Sequence, residues 1–282
     1  MALVTGLIVT IAMTGGMLAQ YPLTKLVLYI GWREAMIWLG WLGLCILGLM
    51  MVFIQDNPRT DTTSSKISIL DSAKIAYLNL QTLRAACYAS LMNMAVAVFG
   101  AVMGSLYLMQ RLGIPKEKAS LINSMLFLGA IVGGPLMGWM SDKLGVRILP
   151  MRVGAWTSLA TVLAILYLPM SYSIMLVLFF MLGLLTASQV ISYALVAESN
   201  SSAITATAVS IVSILTQSGY ILYQNIFSAL MLHHGEMQMH HGVPIYSLQD
   251  YQYAAIILPV GLMGAISMLW GLRETYCKRV QG

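Results

Sequence analysis

Long runs of apolar and uncharged residues dominate the chain. Seven stretches contain no Asp, Glu, Lys or Arg. A helix that crosses the hydrocarbon core of a bilayer needs about 20 apolar residues, so six of these stretches hold one helix each. The stretch 153–197 is long enough for two helices, and Pro169 with its polar neighbours divides it in the middle. The pattern therefore predicts an all-α, polytopic membrane protein with about eight transmembrane helices. The charge-free stretches are 1–24, 35–55, 85–110, 119–141, 153–197, 199–235 and 251–272.

The predicted helices form a group of two followed by a group of six. Between the groups lies the longest polar stretch, 55–66, and after it a short segment that carries Asp71 and Lys74. Clusters of Ser, Thr, Asp, Asn and Pro are typical of loops, so we expect a linker here, with a short surface helix near its end. The eight predicted helices cover residues 1–21, 35–54, 83–109, 119–140, 148–168, 174–196, 204–232 and 251–272.

The composition and the placement of charge support a membrane protein. The chain is 59% hydrophobic and 9% charged, with a mean hydropathy of +0.81, outside the range of soluble globular domains. The net charge of +5 could indicate a nucleic-acid partner, but the basic residues divide ten to five between the two sides of the predicted membrane. Cytoplasmic loops carry the excess of Lys and Arg. We therefore expect the bilayer as the partner, no nucleic acid, and both termini in the cytoplasm. The ten are Arg59, Lys66, Lys74, Arg84, Lys143, Arg147, Arg152, Arg273, Lys278 and Arg279; the five are Lys25, Arg33, Arg111, Lys116 and Lys118.

A short charged loop between the fourth and fifth predicted helices carries a recognisable motif. It consists of a glycine, three residues, an aspartate, a basic residue, any residue, a glycine, and a basic residue two positions later. This loop resembles the signature loop of the major facilitator superfamily of secondary transporters. Val146 departs from the family pattern, which most often has Arg at that position. The matching residues are Gly138, Asp142, Lys143, Gly145 and Arg147.

The resemblance implies a fold, a function and a division of the chain. Members of the family typically have two six-helix bundles joined by a long cytoplasmic loop, and the signature loop here stands where the C-terminal bundle has it. Residues 1–55 then correspond to the last two helices of the N-terminal bundle, 56–80 to the cytoplasmic linker, and 81–282 to the C-terminal six-helix bundle. On this count a four-helix N-terminal portion is missing; the alternative is a naturally short transporter. The implied function is secondary transport of a small-molecule substrate by alternating access, in the plasma (bacterial inner) membrane.

The signature loop is the candidate gating element. Asp142 precedes a helix predicted to begin near Ile148, whose N-terminal amides and dipole favour a nearby negative charge. Gly145 permits a tight turn, and Arg147 offers several donors to carboxylates or to helix-end carbonyls. In the family, this loop clasps helices together in one conformation and releases them in the other. The alternative interpretation is a polar loop that merely obeys the topology rules.

Polar residues at helical spacing on apolar helices suggest a substrate path. The seventh predicted helix has the clearest stripe, running from Thr207 to Ser228 at spacings of three and four. The alternative is that these residues serve helix packing and interhelical hydrogen bonds. The middle of each predicted helix lacks ionisable residues, so coupling groups for proton transport would lie elsewhere, or transport is not proton-driven through this part. The predicted cavity residues are Asn93, Gln189, Ser213, Gln217, Tyr220 and Gln224.

The sequence is compatible with two further classes of function. All four histidines lie with three other candidate donors in a loop after the seventh predicted helix, and imidazole and thioether ligands suit copper. Such tracts also arise without a metal role, so a metal-handling membrane protein is an alternative, as is a non-transporting remnant or a subunit of a split transporter. The sequence shows no catalytic constellation, so we expect neither an enzyme nor a cofactor. The weak metal candidates are His233, His234, Met237, Met239, His240 and His241.

Overall fold

The computed structural model describes residues 2–53, 69–234, 238–240 and 243–279. Within these ranges the chain is almost entirely helical, with one short antiparallel β-hairpin, so the predicted all-α membrane fold is confirmed. The helices are α1 (Ala2–Leu18), α2 (Tyr21–Ile30), α3 (Trp32–Phe53), α4 (Ile69–Leu78), α5 (Leu80–Met92), α6 (Gly104–Leu112), α7 (Lys116–Leu144), α8 (Ile148–Tyr167), α9 (Tyr172–Thr186), α10 (Val190–Glu198), α11 (Thr205–His234), α12 (Leu248–Ala254) and α13 (Ile257–Trp270). A π-helical segment (Val96–Met103), a 3₁₀ turn (Ala187–Gln189) and the strands β1 (Gln238–His240) and β2 (Val243–Ile245) complete the described elements.

Seven helical spans in the described residues are long and apolar enough to cross a membrane. They correspond to seven of the eight predicted helices. The remaining prediction, 83–109, corresponds to α5, the π-helical segment and α6, which follow one another along the chain but do not form one uninterrupted α-helix. A π-helical turn widens the helix and occurs mostly at functional sites. The irregular backbone in this segment adjoins Asn93, one of the predicted cavity residues.

Helix α7 lies at the centre of the molecule and packs chiefly against α1 and α9. Gly6 of α1 and Gly134 of α7 allow their backbones to meet, since a Cβ atom on Gly6 would lie 2.6 Å from the carbonyl oxygen of Gly134. The hydroxyl of Thr10 donates to the carbonyl of Ile131 across the same interface at 3.0 Å. Small residues that permit close approach are typical of membrane helix pairs.

Helix α3 differs from the others because nearly all of its side chains are exposed. It contacts mainly α2, and its large apolar side chains, such as Trp38 and Phe53, face outward. Apolar side chains of this kind are suited to the hydrocarbon of a bilayer.

The proposed division at 1–55, 56–80 and 81–282 stays a prediction. Residues 54–68, most of the predicted linker, lie outside the described residues. Helix α4 occupies the end of that linker, where a short helix was expected, and α5 to α13 contain most of the core.

Candidate functional site

A cavity of about 450 Å³ lies between α1, α10, α11 and the end of α5. Four of the six predicted cavity residues line it, although they are separated by up to 127 positions in the sequence. The described part of its wall contains amide, hydroxyl and apolar side chains and no carboxylate or cationic side chain. The lining residues are Val9, Ala12, Met13, Asn93, Gln189, Val190, Tyr193, Thr216, Gln217 and Tyr220.

Asn93 lies at the end of α5, among the polar side chains that line this cavity. It caps the C-terminus of α5 just before the π-helical segment. Its side-chain oxygen accepts a hydrogen bond of 3.0 Å from the amide of Gln189, and its side chain lies near the hydroxyl of Tyr220, which lines the same cavity. The Asn93–Gln189 hydrogen bond ties the end of α5 to the 3₁₀ turn before α10, next to α11.

Thr216 contributes a polar group that sequence reasoning missed. Its hydroxyl is buried and has no hydrogen-bond partner within the described residues. A buried polar atom without a partner is costly, and water or a bound solute in the adjoining cavity would satisfy it. Thr216 lies three positions after Ser213 and four before Tyr220, so it fits the helical spacing of the stripe, although the predicted cavity residues included its neighbour Gln217 instead.

The structure does not bring Ser213 and Gln224 into this cavity. Ser213 is exposed on α11. Gln224 donates to the backbone carbonyl of Ala97 at 3.2 Å and borders a separate small cavity beside Phe227. For Gln224, interhelical hydrogen bonding accounts for the polar side chain.

At one end of the bundle, Arg147 is the centre of a buried charge cluster. Its guanidinium donates to the Glu198 carboxylate at 2.5 and 3.2 Å, to Asp142 at 2.6 Å and to the Ser141 hydroxyl at 2.9 Å. Burial opposes the charged form, but the hydrogen bonds that Arg147 donates to Glu198 and Asp142 outweigh it and raise the pKa of Arg147. The cluster joins the end of α7, the start of α8 and the end of α10.

The expectation that Asp142 serves the N-terminus of the helix at Ile148 is wrong. Glu274 takes that place: its two carboxylate oxygens accept the backbone amides of Arg147 at 2.7 Å and Ile148 at 2.8 Å. Asp142 instead accepts from Arg147 and from the backbone amide of Leu3, in the first turn of α1, at 3.3 Å. The reason is the turn at Gly145, which leaves Asp142 on the last turn of α7, facing Arg147 and α1.

The other residues of the signature loop have distinct surroundings. Gly145 has a φ of +67°, in the left-handed region that favours glycine. The ammonium group of Lys143 lies 4.8 Å from the centre of the Trp139 ring. Gly138 faces the backbone of Ala2, because a Cβ atom there would lie 2.8 Å from the Ala2 carbonyl oxygen.

The segment that follows α13, residues 271–279, is held against the charge cluster. The hydroxyl of Thr275 donates to Glu198 at 2.6 Å, while Glu274 caps α8. Glu198 and Glu274 were both missed by sequence reasoning. Glu198 had a weak signal, since it is the single acidic residue between the charge-free stretches 153–197 and 199–235.

The structure describes the histidine-rich loop only in part. His233 and His234 end α11, Met239 and His240 lie in β1, and Met237 and His241 lie outside the described residues. Among the described residues, no group of three or more His, Cys, Asp or Glu is placed to hold a metal ion.

The fold and these sites define a class: an integral membrane protein of packed helices with a polar internal cavity and a charge cluster at one end. The family model described as Major Facilitator Superfamily matches residues 85–278. The chain therefore belongs to the Major Facilitator Superfamily, a family of transporters rather than enzymes.

A solved structure with a similar fold matches most of the chain. It is that of a bacterial homologue of the human lysosomal transporter Spinster, in an inward-facing and unoccupied conformation. The TM-score is 0.60 at 17% sequence identity, and the match covers 85% of this chain and 58% of that chain. This chain therefore spans little more than half the length of the similar structure. A search of curated proteins found no match.

Proposed function

We propose that the protein carries a small, uncharged solute across the plasma membrane by alternating access. The solute binds in the cavity formed by Asn93, Gln189, Gln217 and Tyr220. The observation that carries this proposal is the convergence of amide and hydroxyl groups from α5, α10 and α11 on one cavity of about 450 Å³. That volume lies within the range of small-molecule sites.

The chemistry of the wall favours an uncharged solute with several hydrogen-bonding groups. Side-chain amides both donate and accept, and the unpartnered hydroxyl of Thr216 offers a further group. Tyr220 and the apolar Met13 and Val190 provide surfaces for the less polar face of such a solute. An ionic solute would be desolvated without a countercharge in this wall, which is costly.

Alternating access also needs a contact that forms and breaks at one end of the protein. In this proposal the contact joins α1 to the signature loop, through the Asp142–Leu3 hydrogen bond and the approach of Gly138 to Ala2. The Arg147–Glu198 pair joins the turn between α7 and α8 to the end of α10 and holds Asp142 in place for that contact. The excess of basic residues at this end favours the cytoplasmic side.

Cysteine labelling in membrane vesicles tests the cavity without knowledge of the solute. The full chain carries Cys45→Ser, Cys87→Ser and Cys277→Ser, together with Gln217→Cys or Tyr220→Cys. Vesicles of both orientations are treated with a membrane-impermeant maleimide. We expect both positions to be labelled from either side, because the cavity opens alternately to each.

The matched control is Leu222→Cys on the same helix. Leu222 is exposed and lies about 140° around α11 from Gln217, so we expect it to remain unlabelled from both sides. If Gln217→Cys and Tyr220→Cys are inert in protein that elutes as a folded species, the polar residues serve packing. Labelling from a single side would contradict alternating access.

A further inference from the structure

A second cavity, of about 420 Å³, lies at the end of the bundle that holds the charge cluster. Its wall combines the first turn of α5, the residue after α10 and the segment that follows α13. Three of its side chains are cationic. The lining residues are Gln81, Ser199, Arg273, Glu274, Thr275, Lys278 and Arg279.

The segment that supplies the cations is fixed in place by hydrogen bonds. The Gln81 side chain binds both backbone groups of Arg273, donating to its carbonyl at 2.7 Å and accepting from its amide at 3.0 Å. Tyr276 and Cys277 have φ angles of 51° and 57°, a left-handed conformation rare for residues other than glycine. Such a turn persists where its surroundings determine it, so the cations project from a defined backbone.

The three cationic side chains of this cavity outnumber its single carboxylate, that of Glu274. Both oxygens of Glu274 accept backbone amides at the start of α8. Within the described part of the chain, Arg273 and Lys278 make no ion pair, and the guanidinium of Arg279 donates to the neutral oxygens of Ala197 and Thr205. The nearby Glu198 carboxylate is occupied by Arg147 and Thr275. The cavity therefore presents an excess of cationic donors to a ligand.

We propose that this cavity binds a phosphate-bearing anion, and that an anionic lipid headgroup is the form it takes in the membrane. Arginine presents a fork of donors that matches phosphate oxygens, and lysine adds a point charge. Basic pockets at the cytoplasmic ends of membrane helices are suited to such headgroups. The volume exceeds that of a phosphate ion and leaves room for a glycerol unit.

The bound anion would hold the segment 271–279 against α5 and α10. Arg273 and Lys278 on one wall and Gln81 and Ser199 on the other would contact the same ligand. This would keep Glu274 on the start of α8, so the anion stabilises the charge cluster whether or not the protein transports a solute.

Native mass spectrometry of the purified full chain, together with thermal unfolding in detergent, tests the proposal. The probes are phosphatidylglycerol, phosphatidylcholine and inorganic phosphate. We expect phosphatidylglycerol to bind in preference to phosphatidylcholine and to raise the unfolding temperature. Arg273→Gln and Lys278→Gln should each weaken binding about fivefold, since a basic residue contributes about that factor at an anionic surface, and the double variant Arg273→Gln/Lys278→Gln should weaken it about 25-fold.

A double variant of equal charge change provides the control. Lys74 and Arg152 are exposed basic residues outside the cavity, and Lys74→Gln/Arg152→Gln should leave binding within twofold of the unmodified chain. If inorganic phosphate stabilises the protein as much as phosphatidylglycerol does, the anion site is supported but its ligand is the free anion, and the lipid assignment is overturned. An equal loss in both double variants would show diffuse attraction and overturn the proposal, as would equal binding of the two lipids with no effect of phosphate.

Discussion

Arg147 and Glu198 are 51 positions apart in the sequence, and their side chains form a two-point hydrogen-bonded ion pair inside the protein. One guanidinium nitrogen lies 2.5 Å from Oε1 of Glu198, and Nε lies 3.2 Å from Oε2. Both side chains are buried. A buried pair of this kind joins the signature loop to the end of α10 and makes the loop part of the bundle rather than a surface feature.

Removing one partner of this pair should be more damaging than removing both. Glu198→Met leaves a buried guanidinium with a partly exposed Asp142 as its acidic partner, and the loss of a buried partner costs about 3–5 kcal/mol. The double variant Arg147→Met/Glu198→Met removes both charges, so we expect it to recover part of that loss. The measurement is the unfolding temperature in detergent.

The control for this prediction is the ion pair between Lys25 and Glu117, which are 2.6 Å apart and largely exposed. Lys25→Met should leave the unfolding temperature unchanged, because exposed pairs contribute little. A double variant that is as unstable as the sum of its single variants would contradict the ion-pair account.

Glu274→Ala should release the segment 271–279 from the start of α8. The variant loses two hydrogen bonds to helix N-terminal amides, a change worth about 1–2 kcal/mol. Burial raises the pKa of the Cys277 thiol, which keeps the reactive thiolate scarce at neutral pH. Release lowers that pKa toward its ordinary value, so the pH profile of maleimide labelling should move to lower pH.

This labelling is measured in a Cys45→Ser/Cys87→Ser background, so that Cys277 is the one cysteine that can react with the maleimide. Glu274→Gln keeps one acceptor oxygen, so its pH profile of labelling should lie between those of Glu274→Ala and the unmodified chain. Identical pH profiles in Glu274→Ala and the unmodified chain would show that the segment is held without Glu274.

Gly6→Ala should separate α1 from α7. The added methyl group would lie 2.6 Å from the carbonyl oxygen of Gly134, which is closer than atoms approach without displacement. Overpacking of this kind costs about 1–3 kcal/mol, and the unfolding temperature should fall. Gly15→Ala on the same helix meets nothing within 4 Å, so it should be neutral or slightly stabilising. Equal effects of the two substitutions would contradict the close helix contact.

Asn93 and Gln189 should show energetic coupling in a double-mutant cycle. Each alanine variant leaves the partner's amide buried and unpaired, so the unfolding free energies of Asn93→Ala and Gln189→Ala should fail to add by about 0.5–1.5 kcal/mol. The matched pair is Asn93 with Gln224, which bonds to the backbone of Ala97 instead, and there the effects should add. If the effects add in both pairs, the Asn93–Gln189 hydrogen bond does not contribute to stability, and this prediction is contradicted.

The sequence was informative about elements, and less so about which side chains meet. The helix boundaries followed from charge-free length, because the bilayer requires each crossing segment to satisfy its own backbone. The stripe on α11 identified Gln217 and Tyr220 as residues on one face. It also included Ser213 and Gln224, which the structure places outside the main cavity. A stripe fixes the face of a helix, but the rotation and depth of that helix relative to its neighbours decide which members reach a cavity.

The sequence by itself determined that this is a helical membrane protein, where seven of its membrane-spanning helical segments lie and which loop carries the family signature. These features depend on local composition and on residues close together in the chain. The tertiary structure decided that Glu274, not Asp142, caps α8, that Glu198 pairs with Arg147, and that Asn93 meets Gln189 and Tyr220. Those contacts join residues 51 to 127 positions apart, and their geometry exists only once the helices have packed, because short-range pattern carries no information about such distances.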